Sequence, residues 1–434
     1  MDKMADVLGR AGAWCGQNKY LSAIKNAFQN FMPLTIAGAI GVLWCNVLVN
    51  DQTGLGIFFK PIMALDFLNP AFQAVNFCTI SCITVGITLG IAQEIGVWNM
   101  GAERAGYIPG LVGLAAWLSV TNTSHMVEGA KEAFTGIAGN ELGATGLFTG
   151  MIIGVLSVEL FCFFEKQDAL KIKMPEQVPP GVARAFEVLV PATITLIITA
   201  CIGSACYNLT GLYLNDVIKN GIQGPLGAVG ATIPGVMIIY LVIMLFWLVG
   251  IHGNNMLSAV KEALFTPLAL ENVEKFNKGE KPTNIINMYF LQMCGEFGGS
   301  GVTIGLVIAI MIFGKREDNK AIATLSLVPG LFNINETVTF GIPMVLNPIL
   351  GIPFVFACLV TILVGYVLTV IGFCPVACLT VPWTTPPIVF GFLATGANVM
   401  GAVTQAILIV VSTVIYVPFL IAYEKYQNKQ AAEA

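Results

Sequence analysis

The sequence predicts an all-α polytopic membrane protein, with about ten transmembrane helices and additional re-entrant hairpins. Three observations carry that prediction. Of the 434 residues, 56% are hydrophobic and only 11% are charged, against about 25% charged in an ordinary soluble domain. The charges are also clustered: residues 220–260, and the 87 residues between Glu336 and Glu424, hold no Asp, Glu, Lys or Arg. A spanning helix needs roughly 20 such residues, so the second stretch is too long for one crossing. Finally, Lys and Arg collect in a few short segments, as they do in the cytoplasmic loops of a helical bundle. A soluble enzyme, a secreted disulfide scaffold and a nucleic-acid binder are excluded on these grounds, and a net charge of -4 shows no basic patch.

The uncharged runs place the spans in order. The first covers 27–49, followed by 74–93, 105–121, 143–163 and 187–207. The second half adds 227–250, a less regular stretch from 285 to 314, the long run 323–373, and 398–422. Orientation comes from Lys3, Arg10, Lys19 and Lys25 before the first span, and from Lys166, Lys171, Lys173 and Arg184 between the fourth and fifth. Lys315, Arg316 and Lys320, then Lys425 and Lys429, complete the cytoplasmic set. Both termini are expected inside, and the loops 51–73 and 122–142 outside. Lys261, Lys275, Lys278 and Lys281 also read as cytoplasmic, which breaks the parity between 250 and 299. Either a segment there enters and returns on one side, or this longer loop disregards the rule. The N-terminus has no signal-peptide hydrophobic region.

Residues 166–184 form the clearest polar linker, with Pro175, Pro179 and Pro180 opposing helix continuation. The expected organisation is an N-terminal five-span half, made of residues 1–165, the cytoplasmic linker 166–184 and a fifth span in 185–210, followed by a larger C-terminal half, 211–434. Neither the 11 cysteines, which lack a CxxC pair, nor the two histidines suggest a metal site. No metal and no cofactor are expected.

Polar groups inside apolar runs carry the functional signal, because an ionisable residue at membrane depth costs at least about 2.5 kcal/mol on insertion scales. Glu336 lies in an Asn333-Ile334-Asn335-Glu336-Thr337 interruption flanked by Pro329, Gly330, Gly341, Pro343 and Pro348. These breakers prevent one continuous helix. Non-helical backbone at depth is tolerated only inside protein or beside an aqueous cavity, so 323–350 reads as a re-entrant hairpin with Glu336 at its tip. The alternative is an extramembrane loop with a solvated carboxylate. His252, between Gly250 and Gly253 and followed by Asn254 and Asn255, is either a second site residue or a satisfied structural histidine. The Gly-rich run from Cys294 to Gly301, including Glu296 and Ser300, is a hairpin tip or a tight packing point joining two half-helices; it is not a nucleotide loop. Trp383, in another helix-breaking segment, offers an aromatic platform. Neutral amides, one imidazole, one carboxylate and an indole suit a sugar, whose hydroxyls both donate and accept and whose ring face stacks on aromatics.

The stretch NINETVTFGIPMVLNPIL at 333–350 closely resembles a signature of enzyme IIC, the membrane subunit of the lactose/cellobiose family of the bacterial phosphoenolpyruvate-dependent sugar phosphotransferase system. AIKNAFQNFMPLTIAGA at 23–39, MPEQVPPGVARAFEVLVP at 174–191, GIHG at 250–253 and GGSGVTIGL at 298–306 agree, in the same order. Thr337 departs from the usual Pro, and Glu296 stands where an apolar residue is expected. The resemblance implies a homodimer in the inner membrane, with the first five spans making the dimer contact and the C-terminal half holding a β-linked disaccharide between two hairpins. It implies a separate cytoplasmic enzyme IIB, carrying phosphocysteine, as phosphoryl donor. Glu336 and His252 would then act on the sugar 6-hydroxyl as the catalytic pair. Asn254, Asn255, Ser300, Asn333, Asn335 and Trp383 would be substrate-binding residues. A proton-coupled secondary sugar transporter, in which Glu336 and His252 relay protons, is the rival reading; a channel or structural membrane protein is a third.

Overall fold

The computed structural model describes residues 2–51, 56, 58–125, 134–175, 177–342 and 344–433. Pro343, one of the expected breakers, and parts of the loops 51–73 and 122–142 lie outside the described residues. Regular structure among the described residues is helical apart from one short antiparallel pairing, Ser124–His125 with Phe134–Thr135. The chain divides into two compact units. One comprises residues 17–38 and 74–228; the other comprises 1–16, 39–73 and 229–434.

In the first unit the helices Ile83–Met100, Ile108–Val120 and Ala144–Glu165 pack against one another. Their contact faces are built from small residues. Gly146, Gly150 and Gly154 recur at four-residue spacing on one helix. A Cβ on Gly150 would lie 2.2 Å from the Thr88 hydroxyl, and one on Gly113 would lie 2.3 Å from the Ala92 methyl. Lipid offers no hydrophobic drive between helices, so close backbone approach through such residues supplies the packing energy. Helix Pro180–Thr210 begins with Pro180 at its first position, where a missing N–H costs nothing. Within residues 166–184, Asp168–Leu170 forms a short 3-10 turn and residues 180–184 already belong to this helix. Beside it, Arg184 and Arg104 each bond Glu165 and Glu187 at 2.8 to 2.9 Å, and Lys19 pairs with Glu159 at 2.6 Å.

The second unit is dominated by interrupted helices. Met288–Val302 and Ile304–Phe313 form one apolar pair bent by 58°. Glu317–Leu331 and Glu336–Gly341 fold back on each other, with Gly341 against Ile322. Gly351–Val370 and Val399–Glu433 are long and continuous. Buried amides satisfy the backbone at the breaks. Asn287 caps Tyr289 and Phe290 and donates to the Ala377 carbonyl at 3.0 Å. The Gln405 side chain accepts from the Ile388 and Gly391 N–H groups, each at 2.7 Å, and donates to the Met293 carbonyl at 3.1 Å.

Among the described residues, five helices are long and apolar enough to cross a membrane, or seven if each bent pair is one span. That is fewer than the ten expected, because several uncharged runs are cut into pieces by Gly and Pro. Ile108–Val120 and Ile233–Leu248 are apolar but shorter. Only 22% of the most apolar window of Pro180–Thr210, and 28% of that of Val399–Glu433, is buried within the protein. Such faces need an apolar surrounding, and the chain is a multi-pass membrane protein.

Candidate functional site

The site lies within the second unit and is assembled from three helix breaks. Helix Ile233–Leu248 ends in a turn through Gly250, whose φ of +80° favours glycine. His252 then caps the short helix Gly253–Met256, its Nδ1 accepting from the Asn255 backbone N–H at 3.3 Å. A Cβ on Gly253 would stand 2.0 Å from the Ile243 carbonyl oxygen, so the turn closes only with glycine there. The imidazole packs on the buried Trp247 indole, with centroids 4.4 Å apart and planes at 47°. Ring orientation is therefore set on two sides. Because Nδ1 accepts, the neutral ring carries its proton on Nε2, a tautomer assigned from this hydrogen bond.

The second break is the hairpin turn between Leu331 and Glu336. Asn333 has a φ of +63°, a conformation that Asn tolerates better than other side chains. Its Oδ1 accepts from the Gly298 N–H at 2.6 Å, and its Nδ2 donates to the Trp383 and Thr385 carbonyls at 2.5 and 3.1 Å. Asn335, 4% exposed, donates to the Ser300 carbonyl at 2.8 Å. Both amides are thus engaged with backbone, and they pin the turn to the third break, residues 296–301. That segment allows the approach because Gly298, Gly299 and Gly301 all have positive φ. A Cβ on Gly299 would meet Asn335 at 2.5 Å, and one on Gly301 would meet the Phe354 ring at 2.4 Å.

These contacts bring the two ionisable residues together. His252 Nε2 lies 3.9 Å from Glu336 Oε1, with the side chains 40% and 48% exposed. This is too long for a direct hydrogen bond, and a proton donor faces an acceptor across a gap open to the outside of the chain. An oxygen placed about 2.8 Å from each atom would subtend roughly a right angle, and slight opening would make it tetrahedral. Asn254 and Asn255 follow His252, and their side-chain amides have no hydrogen-bond partner among the described residues. Trp383 is 44% exposed, while its carbonyl is held by Asn333. Ser300 is buried and contributes its carbonyl to Asn335. Among the described residues no three His, Cys, Asp or Glu side chains gather as a metal site.

One charged cluster differs from the sequence expectation. Lys261, read above as a cytoplasmic loop charge, has a side chain only 8% exposed and forms an ion pair with Glu296. The Tyr240 hydroxyl donates to the same Glu296 oxygen at 2.7 Å. Glu296 departs from the apolar pattern because it has a buried cation to meet. The available signal was Lys261, beside Glu262 at the end of the uncharged stretch 220–260, and Glu296 interrupting an apolar one.

A helical membrane protein that gathers a carboxylate, an imidazole and unpaired amides at its broken helices is a transporter by its architecture. The profile of the family described as Phosphotransferase system, EIIC, matches residues 25–358, and the chain belongs to that family. It is 33% identical over 429 residues to the oligo-beta-mannoside-specific EIIC component of Bacillus subtilis, covering 98% of this chain and 94% of that protein. It is 29% identical over 486 residues to the cellobiose-specific EIIC component of Lactococcus lactis, covering 98% of each. The crystal structure of the transporter ChbC, the IIC component of an N,N'-diacetylchitobiose-specific phosphotransferase system, superposes with a TM-score of 0.88 at 29% identity, covering 97% of both chains.

Proposed function

We propose that this permease moves a β-linked disaccharide of the cellobiose or chitobiose type and couples entry to phosphorylation of the sugar 6-hydroxyl. The observation that carries the reading is the 3.9 Å separation of His252 Nε2 and Glu336 Oε1. A hydroxyl between them accepts from the imidazole and donates to the carboxylate, which aligns it and raises its nucleophilicity. Attack forms the sugar O–P bond and breaks the S–P bond of a phosphocysteine on a separate enzyme IIB; the thiolate leaves and the hydroxyl proton passes to Glu336. The product gains close to two negative charges, and once Glu336 releases its proton the restored carboxylate repels it toward the cytoplasm. Asn254 and Asn255 bond sugar hydroxyls, and Trp383 stacks on a ring face. Ser300, Asn333 and Asn335 serve the same pocket by fixing its walls. The substrate class rests on the mannoside, cellobiose and diacetylchitobiose relatives.

In this reading the chain is a homodimer in the bacterial inner membrane with both termini cytoplasmic. Residues 1–165 and 185–210 are the scaffold and dimer contact, 166–184 the cytoplasmic linker, and 211–434 the moving transport region. The ten crossings are reached by counting the bent pairs, the two shorter apolar helices and one further segment, with the Glu317–Gly341 hairpin re-entrant. The test is Glu336→Gln in proteoliposomes supplied with phosphorylated IIB. Sugar binding should persist, while phosphorylation-coupled uptake falls by about 10² or more. Normal coupled uptake would refute the assignment, and uncoupler-sensitive entry of unphosphorylated sugar would replace it with proton coupling.

A further inference from the structure

We infer that Lys261 and Glu296 are positioning residues for the reacting pair, a buried ion bridge that sets the spacing of His252 and Glu336; this rests on the phosphorylation reading above. Two arms lead away from the site. On one, backbone hydrogen bonds run from His252 through helix Gly253–Met256 into helix Ser258–Asn277. Met256 N–H donates to the His252 carbonyl at 3.2 Å, Leu257 to Gly253 at 3.1 Å, and Lys261 to Leu257 at 2.9 Å. A displacement of Lys261 is thereby passed to the imidazole. On the other arm, the Glu296 carbonyl accepts from the Gly299 N–H at 3.0 Å. The same turn carries the Gly298 N–H bonded to Asn333 and the Ser300 carbonyl bonded to Asn335, the residues that hold Glu336. The arms meet at the Lys261–Glu296 ion pair and the Tyr240 hydroxyl.

The pair joins the two arms at one end, and the gap where the hydroxyl is to sit lies between their other ends. Buried partners of opposite charge suit that task, because neither is tolerated alone in a low-dielectric site. A neutral pair of similar volume removes that constraint without leaving an orphan charge. The bridge is therefore predicted to act on turnover, through alignment, and not on sugar affinity, since the two charges are spent on each other and on the Tyr240 hydroxyl.

The experiment compares Lys261→Met, Glu296→Gln and the double variant, using purified protein, phosphorylated IIB and a cellobiose or diacetylchitobiose substrate. Each single variant should lower kcat by about tenfold or more with little change in KM, and the double variant should recover most of that loss. Hydrogen exchange at residues 298–301 and 333–336 should accelerate in the single variants and return toward wild type in the double. Single variants with unchanged kcat, or a double variant no better than the worse single, would overturn the inference. Wild-type phosphorylation judges the functional reading by itself. If it is absent, the exchange measurements still decide whether the pair sets the geometry of these segments.

Discussion

Residues of the same type have different jobs at this site, and hydrogen bonding separates them. Asn333 spends its whole amide on three backbone groups, whereas Asn254 makes no side-chain hydrogen bond among the described residues. Asn333→Ala should therefore cost about 2 kcal/mol of stability by orphaning polar groups, visible as a lower Tm in detergent. Asn254→Ala should leave Tm unchanged and weaken sugar binding by about three- to tenfold, the worth of one neutral hydrogen bond. The reverse pattern in calorimetry would show the roles to be exchanged. His252 combines both kinds of duty, as it caps its own turn while presenting Nε2. Its residue type and its setting between Gly250 and Gly253 were legible in the sequence. The structural duty of Asn333 was not, because its three partners lie 35, 50 and 52 residues away.

Among elements, the helix breaks are the working parts, and side-chain amides seal several of them. Backbone groups freed at membrane depth must find partners within the protein, and Asn287, Asn333 and Gln405 supply them. Thr337 occupies the second position of helix Glu336–Gly341, where the N–H has no acceptor within the helix. Thr337→Pro should accordingly be tolerated, with coupled uptake within about twofold of wild type and Tm equal or slightly higher; a collapse of uptake would show that the tip needs threonine. Gly299→Ala should behave oppositely. Positive φ and the 2.5 Å approach to Asn335 leave no room for a methyl, and phosphorylation should drop sharply while the protein still inserts. The positions of the breaks followed from Gly, Pro and Asn clusters. Their mutual pairing depended on contacts between distant segments, which local patterns do not encode.

Across the described residues, charge is used sparingly and much of it is paired. Arg104, Arg184, Glu165 and Glu187 make a compensated cluster at the ends of helices Ala144–Glu165 and Pro180–Thr210. Arg184→Gln should destabilise the protein by about 1–3 kcal/mol, since Glu165 is buried and loses one of two guanidinium partners. A Tm shift that vanishes in added salt would instead mark the cluster as a solvated surface network.

The amino-acid sequence determined by itself that the chain is a multi-pass helical membrane protein, since burying so few charges among so many apolar residues admits no soluble globule. It also determined where helices cannot continue and singled out Glu336 and His252, because isolated ionisable groups and Gly–Pro interruptions are local signals. Only the tertiary structure decided that Lys261 is buried against Glu296, that two of the candidate amides clamp backbone, and that the imidazole proton faces the carboxylate. Those outcomes depend on which distant segments satisfy one another's hydrogen bonds and charges. That choice is made when the broken helices pack, and no window of the sequence contains it.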